Sequence, residues 1–318
     1  MSDIHHSISP NSEELRDRLF PFLKKICINS PIDYIFVTGD FRYAKKQLDD
    51  QLAKKQAVDF LNEIMNATGA PKGNLILVPG NHDCERSISD RKKTIGRLRK
   101  EFSTIEYVLT DKDVEILESG FGFFQELKSD LYGNPRVCQK PKGNPHSFKI
   151  CEDFNVLCLN TALTSLDDND EGKLIIGMNF VRDLLNEITD NNKNPIIVLA
   201  HHNTCMWKSS ERNYFENLIK GSKYNVCLML CGHEHVMNYD DVDYNNISDV
   251  AKFVTGTMSQ DKFADYGFYT GGLDNELGQG IIFAYIGNLN NFNWGEDTTF
   301  NPYQQDGRKN CKTLNYTS

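Results

Sequence analysis

Seven of the eight histidines in this 318-residue chain fall into four short segments: Ser2-Asp3-Ile4-His5-His6, Gly80-Asn81-His82-Asp83, Ala200-His201-His202-Asn203 and Gly232-His233-Glu234-His235. Only His146 stands apart. At the chain's own Gly and His frequencies, a Gly-His-x-His string is expected by chance about 0.01 times, so this motif is specific. Asp-x-His is weak alone and gains its weight from the order of the segments. Together with Gly39-Asp40 they offer carboxylate oxygens, imidazole nitrogens and one amide, a donor set suited to first-row transition metals more than to Mg²⁺ or Ca²⁺. Using that many donors takes two divalent ions, and Mn, Fe and Zn all suit them.

Such donors need elements that bring them together. Apolar runs predict strands over Ile32–Thr38, Asn74–Val78, Ser147–Cys151, Asn155–Leu159, Pro195–Ala200, Val226–Cys231, Lys252–Thr255 and Ile281–Ile286, most of them separated by segments of helical spacing. That alternation predicts an α/β layered sheet. Each donor segment lies at or near the C-terminal end of an apolar run, the edge where loops converge on a ligand crevice. Gly39, Gly80 and Gly232 each precede a donor, where the absence of Cβ permits a sharp strand-to-loop turn. In Gly-His-x-His, an extended segment would point both imidazoles the same way, one to each ion. The same alternation turns His6 and His202 away, into supporting or surface positions, with direct ligation as the alternative. Helices are expected from Asn11 towards Cys27, kinked or split at Pro21, over Ala44–Ala67 ended by Gly69 and Pro71, and over Met178–Asn191 and Ser209–Lys220.

With 35 Lys and Arg against 44 Asp and Glu, the net charge is −9, which disfavours nucleic acid and anionic lipid without excluding a local basic patch. Seven Lys and Arg between Arg86 and Lys100 are such a patch, read here as a solvated helix face or a phosphate contact. No apolar run approaches the roughly 18 residues of a membrane span. Nine cysteines without CxxC spacing read as buried hydrophobes in a reducing, cytoplasmic setting. The chain divides into a domain over 1–286, with a helical insertion or cap over 84–146, and a polar, irregular tail over 287–318.

The series Asp-x-His, Gly-Asp, Gly-Asn-His-Asp, His-His and Gly-His-x-His, in this order from residue 2 to about 286, resembles the calcineurin-like metallophosphoesterases. The resemblance implies an αββα architecture, a two-sheet sandwich flanked by helices, and a dinuclear centre acting on phosphodiesters or phosphomonoesters. It implies that Asp3, His5 and His235 hold one metal, Asn81, His201 and His233 the other, and Asp40 both. His82 would protonate the leaving oxygen, with Asp83 as its partner. Two divalent ions would lower the pKa of a bridging water towards about 7 and supply a hydroxide for in-line attack. In this pattern a further Asp is replaced by Tyr43, and Asn203 stands where Pro commonly follows the His pair.

Around this frame, Arg42 is read as a phosphate contact, and Asn160 as a substrate contact or a loop cap. His146 is read as a loop histidine, and Asp167, Asp168, Asp170 and Glu171 as a solvated loop. A nuclease of the same family is the alternative activity, favoured only by the Arg86–Lys100 stretch. A non-catalytic module of a larger protein is the alternative from another class, opposed by the complete donor set.

Overall fold

A computed structural model describes residues 1–4, 10–43, 49–101, 108–133, 137–167, 169–220, 223–239, 250–258, 266–300 and 311–316. Most of the predicted apolar runs appear as strands within a residue or two of their predicted bounds, and alternate side chains enter different cores. In β1 (Ile35–Val37) and β2 (Leu75–Leu77), Ile35, Val37, Leu75 and Leu77 join one core, while Ile76 joins another with Phe36 packed against it.

The strands β3 (Ser147–Ile150), β4 (Asn155–Cys158), β5 (Ile196–Leu199), β6 (Val226–Cys231), β7 (Asn238–Tyr239) and β8 (Ala251–Val254) form a six-stranded sheet in the order β3-β4-β5-β6-β8-β7. Its four middle strands are parallel and its two edges antiparallel. The second layer holds the parallel pair β1-β2 together with β9 (Tyr266–Asp274), β10 (Gln279–Asn288), β11 (Asn293–Glu296) and β12 (Cys311–Asn315). β10 pairs antiparallel with each of the last three.

Three cores separate four layers. Ile196 and Val198 pack with Leu184 and Leu185 of α6 (Met178–Asn191) and Phe215 of α7 (Ser209–Ile219). Ile197 and Leu199, on the opposite face of β5, meet Ile282 and Ala284 of β10 between the sheets. Leu15, Leu19 and Leu23 of α1 (Pro10–Cys27) and Leu61 and Ile64 of α2 (Asp50–Thr68) cover the second sheet from outside. The result is the αββα sandwich that the resemblance implies.

Some expectations are corrected. Pro21 lies inside α1 and does not end it, because the buried Leu15-Leu19-Leu23 stripe holds the helix across the lost backbone hydrogen bond. The segment predicted from Ala44 becomes helical at Asp50, after Asp49 accepts from the N–H groups of Gln51 and Leu52; residues 44–48 lie outside the described ones. The tail is not irregular from residue 287: β10 runs to Asn288, β11 and β12 pair with β10, and Trp294 is buried with its Nε1–H donating to the Leu15 carbonyl at 2.8 Å. Strand-edge N–H and C=O groups require partners whatever the side chains are, and the Asn- and Gly-rich tail supplies them.

Between residues 84 and 146 the chain forms α3 (Ser89–Glu101), α4 (Asp111–Glu118) and α5 (Gly122–Tyr132). The basic stretch is divided: Lys92, Lys93, Arg97 and Lys100 are exposed on the helix, as expected of a solvated face, while others are held within the fold. Arg91 is fully buried and donates to the carbonyls of Ser165, Ala162 and Leu163 at 2.6, 3.2 and 2.8 Å. Arg99 pairs with Asp170, and Arg97 with Glu101 and Asp113. Asp170 is therefore not solvated: it is buried and also accepts from Ser165 Oγ and the Leu166 N–H, each at 2.8 Å.

Candidate metal centre

The loops that carry the donors leave β1, β2, β5 and β6 at their C-terminal ends, and residues 1–3 run alongside β1. Glycine permits this convergence by its lack of a side chain. A Cβ on Gly80 would lie 2.0 Å from Asp40 Oδ1, and one on Gly39, whose φ is +99°, would lie 2.8 Å from His201 Nδ1. Asp3, Asp40, His233 and His235 have φ of 52°, 59°, 74° and 57°, in the left-handed region that L residues avoid. Only Asn225 and Phe292 join them among the described non-glycine residues, so backbone strain concentrates at these donors.

Two groups of donors meet at Asp40. His201 Nε2 lies 2.9 Å from Asn81 Oδ1 and 3.3 Å from Asp40 Oδ2, and His233 Nδ1 lies 3.1 Å from Asn81 Oδ1. On the other side, His235 Nε2 lies 3.1 Å from Asp3 Oδ1, while the His233 N–H donates to Asp3 Oδ2 at 3.1 Å. One donor atom from each of Asp3, Asp40 and His201 falls within 4.8 Å of the others. His201 Nδ1 donates to the Thr38 carbonyl at 2.6 Å, so in the neutral ring the lone pair is on Nε2, facing Asp40 and Asn81. Buried carboxylates beside imidazole lone pairs fit divalent transition ions. His5, the remaining expected donor, lies outside the described residues.

Charge is balanced within the cluster. Burial alone would lower His201, but Asp40 and Asp3 outweigh it and raise the imidazole to about 9. Burial and then His201 push His233 down to about 4. Burial would raise Asp3, yet the hydrogen bond from His235 and the charge of His201 hold it below the usual carboxylate range.

Several side chains do work other than that expected. Asp83 does not meet His82. Its Oδ2 accepts from the N–H groups of Asp40 and Gly80 at 2.9 and 2.8 Å, and its Oδ1 from those of Phe41 and Arg42 at 2.8 and 3.3 Å, which ties two donor loops together. Burial and the Asp40 carboxylate raise it to about 7. Arg42 donates from Nε to the His82 carbonyl at 2.7 Å, pairs with Asp50 and lies over the Phe123 ring, so it braces the His82 loop. Asn160 is buried, its N–H donates to His146 Nδ1 at 3.1 Å, and its side chain lines a small cleft with Pro79 and Ser147. His146 is buried too, pushed down to about 3 chiefly by burial.

His82 borders the donors with Nε2 3.6 Å from Asp40 Oδ2, and its side chain keeps 18% exposure. Tyr43 stacks on its ring at 6.3 Å between centroids. His202 is not at the surface: it is buried with its ring 4.5 Å from that of His233, and its Nδ1 meets Thr161 Oγ1 at 3.1 Å. The chain bends at residues 201 and 202, so side chains no longer alternate as in a strand. Gly-His-x-His is likewise bent, and its two rings reach separate groups through left-handed backbone at both histidines. Thr38, Thr161 and Arg91 went unrecognised, since their part is played through backbone atoms or long-range packing that no local motif encodes.

The family model for calcineurin-like phosphoesterases matches residues 1–237, and the chain belongs to that family. The family is one of metal-dependent phosphoesterases. YydB of Bacillus subtilis, described as an uncharacterized metallophosphoesterase-like protein, is 26% identical over 318 residues, covering 98% of this chain and 64% of that protein. The chain thus spans less than two thirds of that relative's length. Among solved structures, a Vps29 double mutant from Entamoeba histolytica aligns with a TM-score of 0.38 and 10% identity, covering 93% of this chain and 94% of that one.

Proposed function

We propose that this chain hydrolyses a phosphodiester or phosphomonoester at a centre of two divalent ions. Asp3, His5 and His235 would hold one ion, Asn81, His201 and His233 the other, and Asp40 both. The observation that carries this reading is the position of Asp40, whose carboxylate is 3.3 Å from His201 Nε2 and within 4.8 Å of a donor atom of Asp3. When bound, such ions supply Lewis acidity towards phosphoryl oxygens and a water acidic enough to attack at neutral pH. Thr38 orients His201, and Asp83 fixes the loops of Asp40 and Asn81. His82, partly exposed beside Asp40, donates a proton to the leaving oxygen while Arg42 braces its backbone. The unit that folds around this centre includes β11 and β12 and so extends past residue 286. Eight free cysteines among the described side chains support a reducing compartment, the cytoplasm. No described helix is long and apolar enough to cross a membrane.

The test uses two variants and a nitrophenyl phosphodiester. Asp40→Asn should lose metal by elemental analysis. His82→Ala should retain metal and lose roughly 10²- to 10⁴-fold in kcat. Full metal occupancy in Asp40→Asn contradicts the shared role, and an unimpaired His82→Ala contradicts proton donation. The nuclease reading loses part of its support, since Arg91 and Arg99 of the basic stretch are engaged within the fold.

A further inference from the structure

Two of the free thiols, Cys138 and Cys158, stand together with their Sγ atoms 4.0 Å apart. Cys158 belongs to the core between the two sheets, and Cys138, in the stretch that follows α5, packs against it. The two differ in how firmly they are held. Cys158 ends β4 and is fixed by ladders on both sides, opposite Ser147 of β3 and Leu199 of β5. Cys138 is half-buried and directly precedes Gln139, which makes an isolated bridge to Phe148: the N–H of each donates to the carbonyl of the other, at 2.7 and 2.9 Å.

They differ in chemistry as well. A hydrogen bond from the Cys158 S–H holds the Cys138 thiol below its ordinary value, against the effect of burial and with the help of the Lys128 and Lys149 charges. The same bond, together with burial, pushes Cys158 well above that value. Elsewhere burial drives thiols up without such compensation, Cys84 to about 11 and Cys227 to about 12. The pair therefore sets a partly accessible sulfur that forms a thiolate readily beside a buried one that keeps its proton. A nucleophilic cysteine next to a resolving one is the arrangement that lets a thiol be oxidised without passing on to irreversible acids.

We propose that Cys138 and Cys158 form an oxidation site, at which hydrogen peroxide converts the two thiols into a disulfide that fastens the chain after α5 to β4. The Cys138 thiolate attacks one peroxide oxygen, the O–O bond breaks, and the departing hydroxide takes the proton that Cys138 gave up and leaves as water; Cys138 becomes a sulfenic acid. The Cys158 sulfur then attacks the Cys138 sulfur, the S–O bond breaks, and the hydroxyl leaves as a second water with the Cys158 proton. Two electrons pass from the thiols to the peroxide. The sulfurs must close from 4.0 Å to about 2 Å, and since Cys158 is held in two ladders the movement falls to Cys138 beside its single bridge. The bond spans 20 residues and encloses β3. In a reducing compartment it is transient, made under oxidant and undone by thiols. No metal donor takes part, so the site stands apart from the proposed hydrolysis.

The test treats the native protein with hydrogen peroxide, blocks the remaining thiols in denaturant and reads the mass of the chain and of its proteolytic peptides. A peptide pair linked through residues 138 and 158 is expected, fully released by dithiothreitol, with a melting temperature several degrees higher in the oxidised form. Cys138→Ser should abolish the link. Cys158→Ala should leave Cys138 as a sulfenic acid that dimedone traps; if that variant does not fold, Cys138→Ser, at the half-buried position, decides. The proposal is overturned if peroxide that modifies the exposed Cys205 leaves residues 138 and 158 unlinked. It is overturned equally if the link forms no faster in the native protein than in urea, or if Cys158 still enters a disulfide in Cys138→Ser.

Discussion

In the proposed centre, His201 would couple protons to metal. Its burial alone would keep the imidazole neutral, yet the carboxylates of Asp40 and Asp3 raise it to about 9, so the metal-free ring is charged at neutral pH. A pKa raised above the ordinary 6.5 contributes stability to the metal-free fold that is full below about 6.5 and is lost as pH rises through about 9. A ligating imidazole must give up that proton. Metal affinity should therefore increase up to about tenfold per pH unit between pH 7 and 9, with release of about one proton, as measured by calorimetry in buffers of different ionisation enthalpy. An affinity flat over that interval would contradict it. At this scale the cluster that brings Asp3, Asp40, Asn81, His201, His233 and His235 together was legible in the sequence, because Gly-His-x-His and Gly-Asn-His-Asp are rare strings of residues with few other uses. The true tasks of Asp83 and His202 were not. Both depend on how the loop bends after its strand, and alternation holds only while the backbone is extended.

Among the elements, α3 ties the insertion to the centre. Arg91 holds the carbonyls of residues 162, 163 and 165, and the neighbouring Thr161 accepts the His202 N–H at 3.0 Å. Arg91→Met keeps the bulk and removes the donors, leaving three buried carbonyls to find other partners. It should destabilise the fold by roughly 3 kcal/mol in urea unfolding. A loss under about 1 kcal/mol would mean that the loop is held by other contacts. The four parallel strands of the six-stranded sheet were legible because buried parallel strands read as continuous apolar runs, whereas the two-residue edge strand β7 was not; Val226–Cys231 matches its prediction at both ends. β9, β11 and β12 were not, since Tyr266–Asp274 and Asn293–Glu296 are rich in Gly, Asn and acidic residues and are fixed by pairing with β10.

For the whole molecule, an α/β layered sheet followed from strands that alternate with helices, the αββα order followed from the family resemblance alone, and the three cores bear it out. Removal of metal should lower the melting temperature without unfolding the chain, since these cores do not involve the donors. At a free metal concentration about 1,000 times Kd, the bound form gains about 4 kcal/mol over the stripped one. Calorimetric scans before and after chelation measure this, and a stripped protein with no cooperative transition would contradict it. The four left-handed backbones at Asp3, Asp40, His233 and His235 bear on how an ion is chosen. A cradle whose torsions the surrounding loops fix would lose little ordering entropy on loading the proposed ions. Discrimination among cations then rests on whether radius and preferred geometry match a nearly rigid template, because the loops have little freedom to adapt to a poor fit.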